Sequence, residues 1–97
     1  MGVPVVTLAG DRHMSRVGVS LLHAVNHAEW VATSAEAYLQ LAMGLARDRE
    51  QLARLRLSLR DELARSPLLD HAAQAARFGA ALRSCWVAWC ARPAKAA

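Results

Sequence analysis

The sequence is poor in the residues that would build a thick core or a redox centre. Of its 97 residues, two are cysteines, Cys85 and Cys90, and aromatic residues make up only 5%. Because the cysteines lie five apart in a helical pattern, they point in different directions, and we expect no disulfide between them. Hydrophobic residues reach 55%, but many are alanine, so bulky core-filling side chains are few. A chain of this length forms at most one domain, or part of one.

Long apolar runs are also missing. The amino terminus has no cationic start followed by an apolar segment, and no run approaches the roughly 20 apolar residues that span a bilayer. We therefore expect neither secretion nor a membrane partner. A reducing cytoplasm is the location that fits the low cysteine usage.

Lysine is nearly absent, since Lys95 is the only one, and the net charge of +4 therefore comes from arginine. Arginine forks match phosphate oxygens, which suggests a nucleic-acid partner. The arginines between residues 47 and 65, however, are interleaved with acidic residues. We interpret this segment as the solvated face of a helix and expect no nucleic-acid partner.

A short apolar run, VPVVTL at residues 3–8, stands near the amino terminus and stops at Ala9 and Gly10. Its β-branched content is typical of a strand buried on both faces of a parallel sheet. Residues 30–32 predict only a very short extended piece. A strand needs a neighbour for its backbone hydrogen bonds. We therefore expect this strand to have no partner within the chain and the sheet to be supplied from elsewhere.

About four helices are predicted after the strand, so the fold class is α/β but mostly helical by content. The second helix is expected to begin after Thr33, whose spacing to Glu36 indicates a capping box, and to end near Arg47. The apolar positions of the first helix recur at helical spacing. They are Met14, Val17, Leu21, Ala24 and Val25.

Two aspartates and a proline delimit the third and fourth helices. Asp48 is expected to cap the third helix, Pro67 to end it, and Asp70 to cap a fourth helix over residues 71–91. Residues 92–97 should fray. The third helix carries a stripe of leucines at 52, 55, 59 and 63.

Large apolar side chains lie along one side of the fourth helix. They are Phe78, Leu82, Trp86 and Trp89. Such a set could stack bases or contact a membrane, but aromatic side chains mainly supply buried area. We favour packing, either in a core or against another lobe.

The polar residues that follow the strand are the best candidates for ligand contacts. In open α/β sheets, ligands bind at the carboxyl ends of strands, and free N–H groups at a helix start favour anions such as a diphosphate. The candidates near a bound nucleotide are Gly10, Arg12, His13, Ser15 and Arg16. On the residues alone, an ordinary polar loop explains this segment equally well.

Other chemistry is weakly indicated. His23 and His27 are four apart, as in zinc helices, but His23 has no adjacent glutamate and no third ligand is evident. We interpret both as surface or loop histidines and predict no metal site. Ser15 and Ser20 lack a nucleophile-elbow context, and we name no catalytic residue.

The residues nevertheless resemble a known family. Residues 2–32, then SPLLD at residues 66–70 and the tryptophan-containing last helix, closely resemble the carboxyl-terminal end of the protein O-GlcNAc transferases. The resemblance is especially to the bacterial proteins of this type, which have tetratricopeptide repeats and SPINDLY-like catalytic regions. The resemblance covers nearly the whole chain, and its most specific part is GDRHMSRVGVSLL at residues 10–22. Residues 26–30, Asn-His-Ala-Glu-Trp, depart from the Gly-His-Pro-Glu-Trp expected there, which alters a turn.

The resemblance implies a GT-B fold, in which two Rossmann-like lobes face a cleft and the second lobe holds the sugar nucleotide. Such enzymes transfer N-acetylglucosamine from UDP-GlcNAc to serine or threonine hydroxyls of proteins, with inversion and without a metal cofactor. Residues 1–97 would be the carboxyl-terminal part of the second lobe, with loop 10–16 bordering the donor site.

The same resemblance implies that the chain is incomplete as an enzyme. The His-Thr-Thr segment that binds the diphosphate, the ribose-binding aspartate and the first lobe would precede Met1. The chain would then be inactive alone and would need the upstream lobe as its partner. The alternative is a small helical interaction module without catalytic activity, which would bind a partner through the leucine stripe and the terminal aromatic residues.

Overall fold

The computed structural model describes residues 2–93. Within them lie a short parallel sheet, formed by β1 (Thr7–Leu8) and β2 (Val31–Ala32), and two 3-10 helices, His13–Ser15 and Ala28–Trp30. The α-helices are α1 (Val17–Ala24), α2 (Ala35–Arg47), α3 (Arg49–Ala64) and α4 (His71–Cys90). The prediction of a mostly helical α/β chain with a parallel-type strand is confirmed. The predicted fraying concerns residues 92–97, of which 94–97 lie outside the described residues.

Strand β1 has a partner within the chain. Thr7 pairs with Val31 and Leu8 with Ala32, and the Ala9 N–H donates to the Ala32 carbonyl at 2.8 Å. The expectation of an unpartnered strand is therefore wrong, because the short extended piece at residues 30–32 is itself the neighbouring strand. A two-residue strand is too short to show a periodicity in sequence.

The ladder is shorter than the apolar run that predicted it. Only Thr7–Leu8 pair, whereas Val3 and Val5 are 65% and 58% exposed. Among the described residues, the run is therefore not buried on both faces. Helix α1 lies close over β1, since a Cβ at Gly18 would come within 2.6 Å of the Thr7 Oγ1.

The core is small and is centred on Leu22, Trp30 and Leu55. Leu22 lies on α1, but the stripe predicted for that helix did not include it, and Met14 of that stripe is 82% exposed. The reason is that Met14 belongs to the first 3-10 helix, so the α-helical period begins only at Val17. The side chains packed around the centre are Val25, Val31, Leu45 and Leu59.

Local hydrogen bonds set the helix boundaries. The Asp48 and Asp70 carboxylates accept the N–H groups of Gln51 and Ala73, at 2.8 and 3.0 Å, which confirms both predicted caps. Helix α2 is capped by Ser34, whose hydroxyl accepts the Ala37 N–H at 3.1 Å, and not by Thr33 as predicted. Ser and Thr both favour this position, and one residue of register decides between them.

Helix α4 projects from the packed part of the chain. None of its residues is buried, and Phe78, Trp86 and Trp89 are each 61% exposed. The radius of gyration is 19.4 Å, against about 12–13 Å for a compact domain of this length. Cys85 and Cys90 are exposed and free, as predicted. No described helix is both long and apolar enough to cross a membrane.

Candidate functional site: the strand edge and its loop

The parallel pairing brings two chain reversals to one edge of the sheet. Strand β1 leads into loop 10–16, and β2 leads through Thr33 to the cap of α2. Parallel strands present their carboxyl ends on the same side, which is where ligands bind in open α/β sheets. Loop 10–16 therefore lies beside the start of α2.

Hydrogen bonds fix the shape of loop 10–16. The Ser15 hydroxyl donates to the Arg12 carbonyl at 2.8 Å and accepts the Arg12 N–H at 3.1 Å. The Gly10 N–H donates to the Ser15 carbonyl at 3.3 Å, and the Arg16 Nη1 donates to the Gly10 carbonyl at 3.0 Å. A Cβ at Gly10 would collide with the Ser15 side chain. Gly10, Ser15 and Arg16 thus hold the loop closed on itself.

Arg12 and His13 are the two predicted residues whose side chains stay exposed outside this network. Within residues 2–93, neither side chain has a hydrogen-bond or ion-pair partner. His13 and Arg16 also line a shallow pocket of about 300 Å³ with Val17, Ser20 and Leu21. The five predicted residues share one loop, in which the backbone N–H groups of Gly10, Arg12, Ser15 and Arg16 already donate to other loop atoms. The donors that the loop can offer to an anion are therefore side chains, above all the Arg12 guanidinium. Their contacts with a nucleotide stay a prediction.

A second polar cluster lies beside the amino end of β2. We call it the His27 clamp, and it consists of the side chains of His27, Glu29 and Glu62. The His27 Nδ1 is 2.7 Å from a Glu29 carboxylate oxygen, and its Nε2 is 2.7 Å from one of Glu62. The ring stacks on Trp30 with centroids 3.9 Å apart and planes 5° from parallel. Ionised carboxylates only accept, and a neutral imidazole has one N–H, so satisfying both bonds requires the imidazolium.

The pKa values agree with this protonation state. Burial, the largest single influence on His27, lowers its pKa, but the hydrogen bonds and charges of Glu29 and Glu62 together outweigh it. The pKa of His27 is therefore raised above 6.5. The Ser58 hydroxyl, followed by His27, holds the pKa of Glu62 below its usual range.

His27 lies in the loop between α1 and the second 3-10 helix and His23 is exposed, which agrees with their interpretation as surface or loop histidines. The His27 side chain is nevertheless only 13% exposed, and its contacts were not predicted. One local signal was present, because His27 and Trp30 are three apart and such positions eclipse in a 3-10 helix. Glu62 lies 35 residues away and left no signal near His27. Among the described residues, no group of three His, Cys, Asp or Glu side chains could hold a metal ion.

Comparisons with known proteins agree with the resemblance seen in the sequence. Residues 1–78 match the model of glycosyl transferase family 41. The chain is 43% identical over 90 residues to proteins of Petunia hybrida, Arabidopsis thaliana and Oryza sativa subsp. japonica, each described as a probable UDP-N-acetylglucosamine–peptide N-acetylglucosaminyltransferase SPINDLY. The match covers 93% of this chain but only 10% of each relative. The chain therefore belongs to glycosyl transferase family 41.

Proposed function

We propose that this chain is the carboxyl-terminal part of the nucleotide-sugar lobe of a GT-B protein glycosyltransferase, and that loop 10–16 borders the donor site. The observation that carries the proposal is the family match over residues 1–78, which includes the whole loop and the sheet edge that presents it. The descriptions of the relatives as UDP-N-acetylglucosamine–peptide N-acetylglucosaminyltransferases support UDP-GlcNAc as donor and peptides as acceptors. The cytoplasm is the proposed location.

The loop residues would act on the charge of the donor. Transfer of a sugar from a nucleoside diphosphate leaves negative charge on the departing diphosphate, and preorganised cations and N–H groups stabilise it. Arg12 and His13 are exposed at the edge where the anion would lie. Gly10, Ser15 and Arg16 would keep the loop in shape through their mutual hydrogen bonds. We assign no catalytic base and no cofactor to this chain.

The exposed side of α4 would meet the upstream part of the enzyme. Phe78, Trp86 and Trp89 are each 61% exposed, and exposed apolar side chains that lie together often mark an interaction surface. In a two-lobed transferase, such a helix can return to the first lobe and bury this side. The partner would then be the rest of the same enzyme, with the UDP-sugar and a protein as substrates.

A chain exchange tests the proposal. The matching 90 residues of the Arabidopsis thaliana relative are replaced by this chain, and sugar transfer to peptide is measured with UDP-GlcNAc and a panel of other nucleotide sugars. We expect the exchanged enzyme to keep transferase activity and the 97-residue chain alone to show none. An inactive but folded exchange protein would contradict the proposal, and turnover by the chain alone would contradict its incompleteness.

Arg12→Ala in the exchanged enzyme tests the loop. Loss of a hydrogen bond to a charged group is worth about 1.5–3 kcal/mol, so kcat/KM for the donor should fall at least about tenfold. Arg54→Ala is the matched control, since Arg54 is also exposed but lies on α3 and outside the loop. Equal effects of the two substitutions would count against a donor contact by Arg12.

A further inference from the structure

We propose that His27, held as an imidazolium between Glu29 and Glu62, is a positioning residue for loop 10–16. The importance of that loop for the donor rests on the proposed function, but its position can be measured without any donor. The resemblance to the transferases assigned no role to His27. The inference comes from three contacts, namely the two 2.7 Å bonds and the stack on Trp30.

The clamp joins two parts of the chain that are distant in sequence. Glu29 belongs to the second 3-10 helix, while Glu62 lies in the last turn of α3, 35 residues from His27. Both bonds pair a cation with a carboxylate, and such bonds are about twice as strong as neutral ones. Only 13% of the His27 side chain is exposed, so solvent screens the Glu62 bond less than it would at the surface.

A continuous set of short contacts leads from the clamp to the loop. Trp30 is 5% exposed and stacks on His27, and β2 follows it directly. Strand β2 pairs in register with β1, and the ladder ends with the Ala9 N–H on the Ala32 carbonyl. Loop 10–16 begins at the next residue. A shift of the 3-10 helix relative to α3 would therefore be carried through β2 to the loop.

The proton on His27 decides whether both bonds exist. Without it, the ring has one N–H for two carboxylates, and the charge of His27, Glu29 and Glu62 together changes from −1 to −2. Arg65, which directly follows α3, lines a pocket of about 410 Å³ with His27 and Glu62 and adds a positive charge beside the cluster. Helix α1 contributes the Leu22 carbonyl, which accepts a hydrogen bond from the backbone N–H of His27 at 2.8 Å.

The pH window of the clamp follows from the two shifted groups. The pKa of His27 is raised, so its contribution is complete below 6.5 and is lost as the pH rises through its folded value. The pKa of Glu62 is lowered, so its contribution is complete above 4.5 and is lost as the pH falls through its folded value. The clamp is therefore strongest between about 4.5 and 6.5.

The experiment is a pH titration of the isotope-labelled 97-residue chain by NMR. We expect the ring nitrogens of His27 to be protonated together up to a midpoint above 6.5. The amides of Ala9 and of residues 10–16 should change with that same midpoint. The hydrogen-exchange protection of the Ala9 amide should fall about tenfold across it, as expected for one lost charged hydrogen bond.

Three variants test whether the titration of the loop amides comes from His27 and its bond to Glu62. All three are made in a His13→Gln background, so that the loop carries no imidazole of its own. There, His27→Gln should remove the titration of the loop amides, and Glu62→Gln should lower its midpoint, whereas His23→Gln should leave it unchanged because His23 is exposed. Loop amides that do not change as His27 loses its proton would overturn the proposal. The same holds if their titration is unchanged in His27→Gln, or if His27 titrates below 6.5.

The Arg12→Ala measurement in the exchanged enzyme separates this inference from the proposed function, because that enzyme contains the rest of the relative. Loop amides that follow His27, together with a fall of the donor kcat/KM in Arg12→Ala, support both. Loop amides that follow His27, together with equal effects of Arg12→Ala and Arg54→Ala, support the positioning role and contradict the donor-site role.

Discussion

Residues 7–66 and helix α4 both carry large apolar side chains but place them differently. The first region buries Leu22, Trp30, Ala32 and Leu55, whereas no residue of α4 is buried. Both contain tryptophan, at 5% exposure in Trp30 and 61% in Trp86. The difference shows that helix formation and burial are separate events, since a well-capped helix can form while its apolar side stays without a partner.

The largest expected effect compares the two tryptophans. Trp30→Ala removes the residue that fills the core and stacks on His27, and large aromatic deletions cost about 3–5 kcal/mol. This loss is of the order of the whole stability of a small domain. Trp86→Ala should change the free energy of unfolding by less than about 0.5 kcal/mol. Urea unfolding followed by circular dichroism measures both, and similar losses would mean that α4 packs against the core in solution.

A second comparison stays within one helix. Leu55→Ala should lower the free energy of unfolding by about 2–5 kcal/mol, because Leu55 is 9% exposed in the core. Leu57→Ala, at 82% exposure on the same helix, should change it by less than about 0.5 kcal/mol. The same urea transitions measure the pair, and a cost at Leu57 near that at Leu55 would show that α3 buries a second face.

A third comparison predicts opposite signs for one substitution. Gly18→Ala should destabilise by about 1–3 kcal/mol, since the new Cβ would meet the Thr7 side chain that β1 holds under α1. Gly44→Ala should stabilise by about 0.5–1 kcal/mol, because its Cβ would meet nothing within 4 Å and alanine favours a helix interior. Thermal and urea unfolding check the signs. Stabilisation by Gly18→Ala would mean that α1 does not approach β1 so closely.

The smallest expected effect separates local from global stability. Asp48→Ala removes the cap of α3 and should lower the free energy of unfolding by about 1 kcal/mol. Asp70→Ala removes an equivalent cap from α4 but should leave the main transition in place and instead reduce helix content and hydrogen-exchange protection in the first turn of α4. A shift of the main transition by Asp70→Ala would show that α4 unfolds together with the core, which would contradict the difference between the two regions.

Sequence reasoning succeeded at the features that depend on a few consecutive residues. Both aspartate caps join a side chain to an N–H three residues later, and Pro67 prevents the preceding residue from continuing a helix. The loop residues were also recognisable as a group, since all five lie within seven positions of the chain. Even there, the choice of Ser34 over Thr33 as the cap of α2 depended on one residue of register.

The features that sequence reasoning missed join residues far apart in the chain. The paired residues of β1 and β2 are 24 positions apart, and each strand is only two residues long. Strands this short show no periodic sequence pattern from which the pairing could be predicted. The burial of Leu22 in place of Leu21 depends on where α3 and Trp30 lie against α1. His27 is a loop residue, but its pairing was missed because its second partner, Glu62, is on α3, 35 residues away.

The sequence by itself thus determined the family, the caps of α3 and α4 and the residues of the candidate loop, because these follow from local hydrogen bonding and from a long, specific run of residues. Only the tertiary structure decided which strand pairs with β1, which leucine enters the core and which histidine becomes a clamp. Those choices depend on distances between elements, since burial and charge pairing act between groups that are neighbours in space and not along the chain.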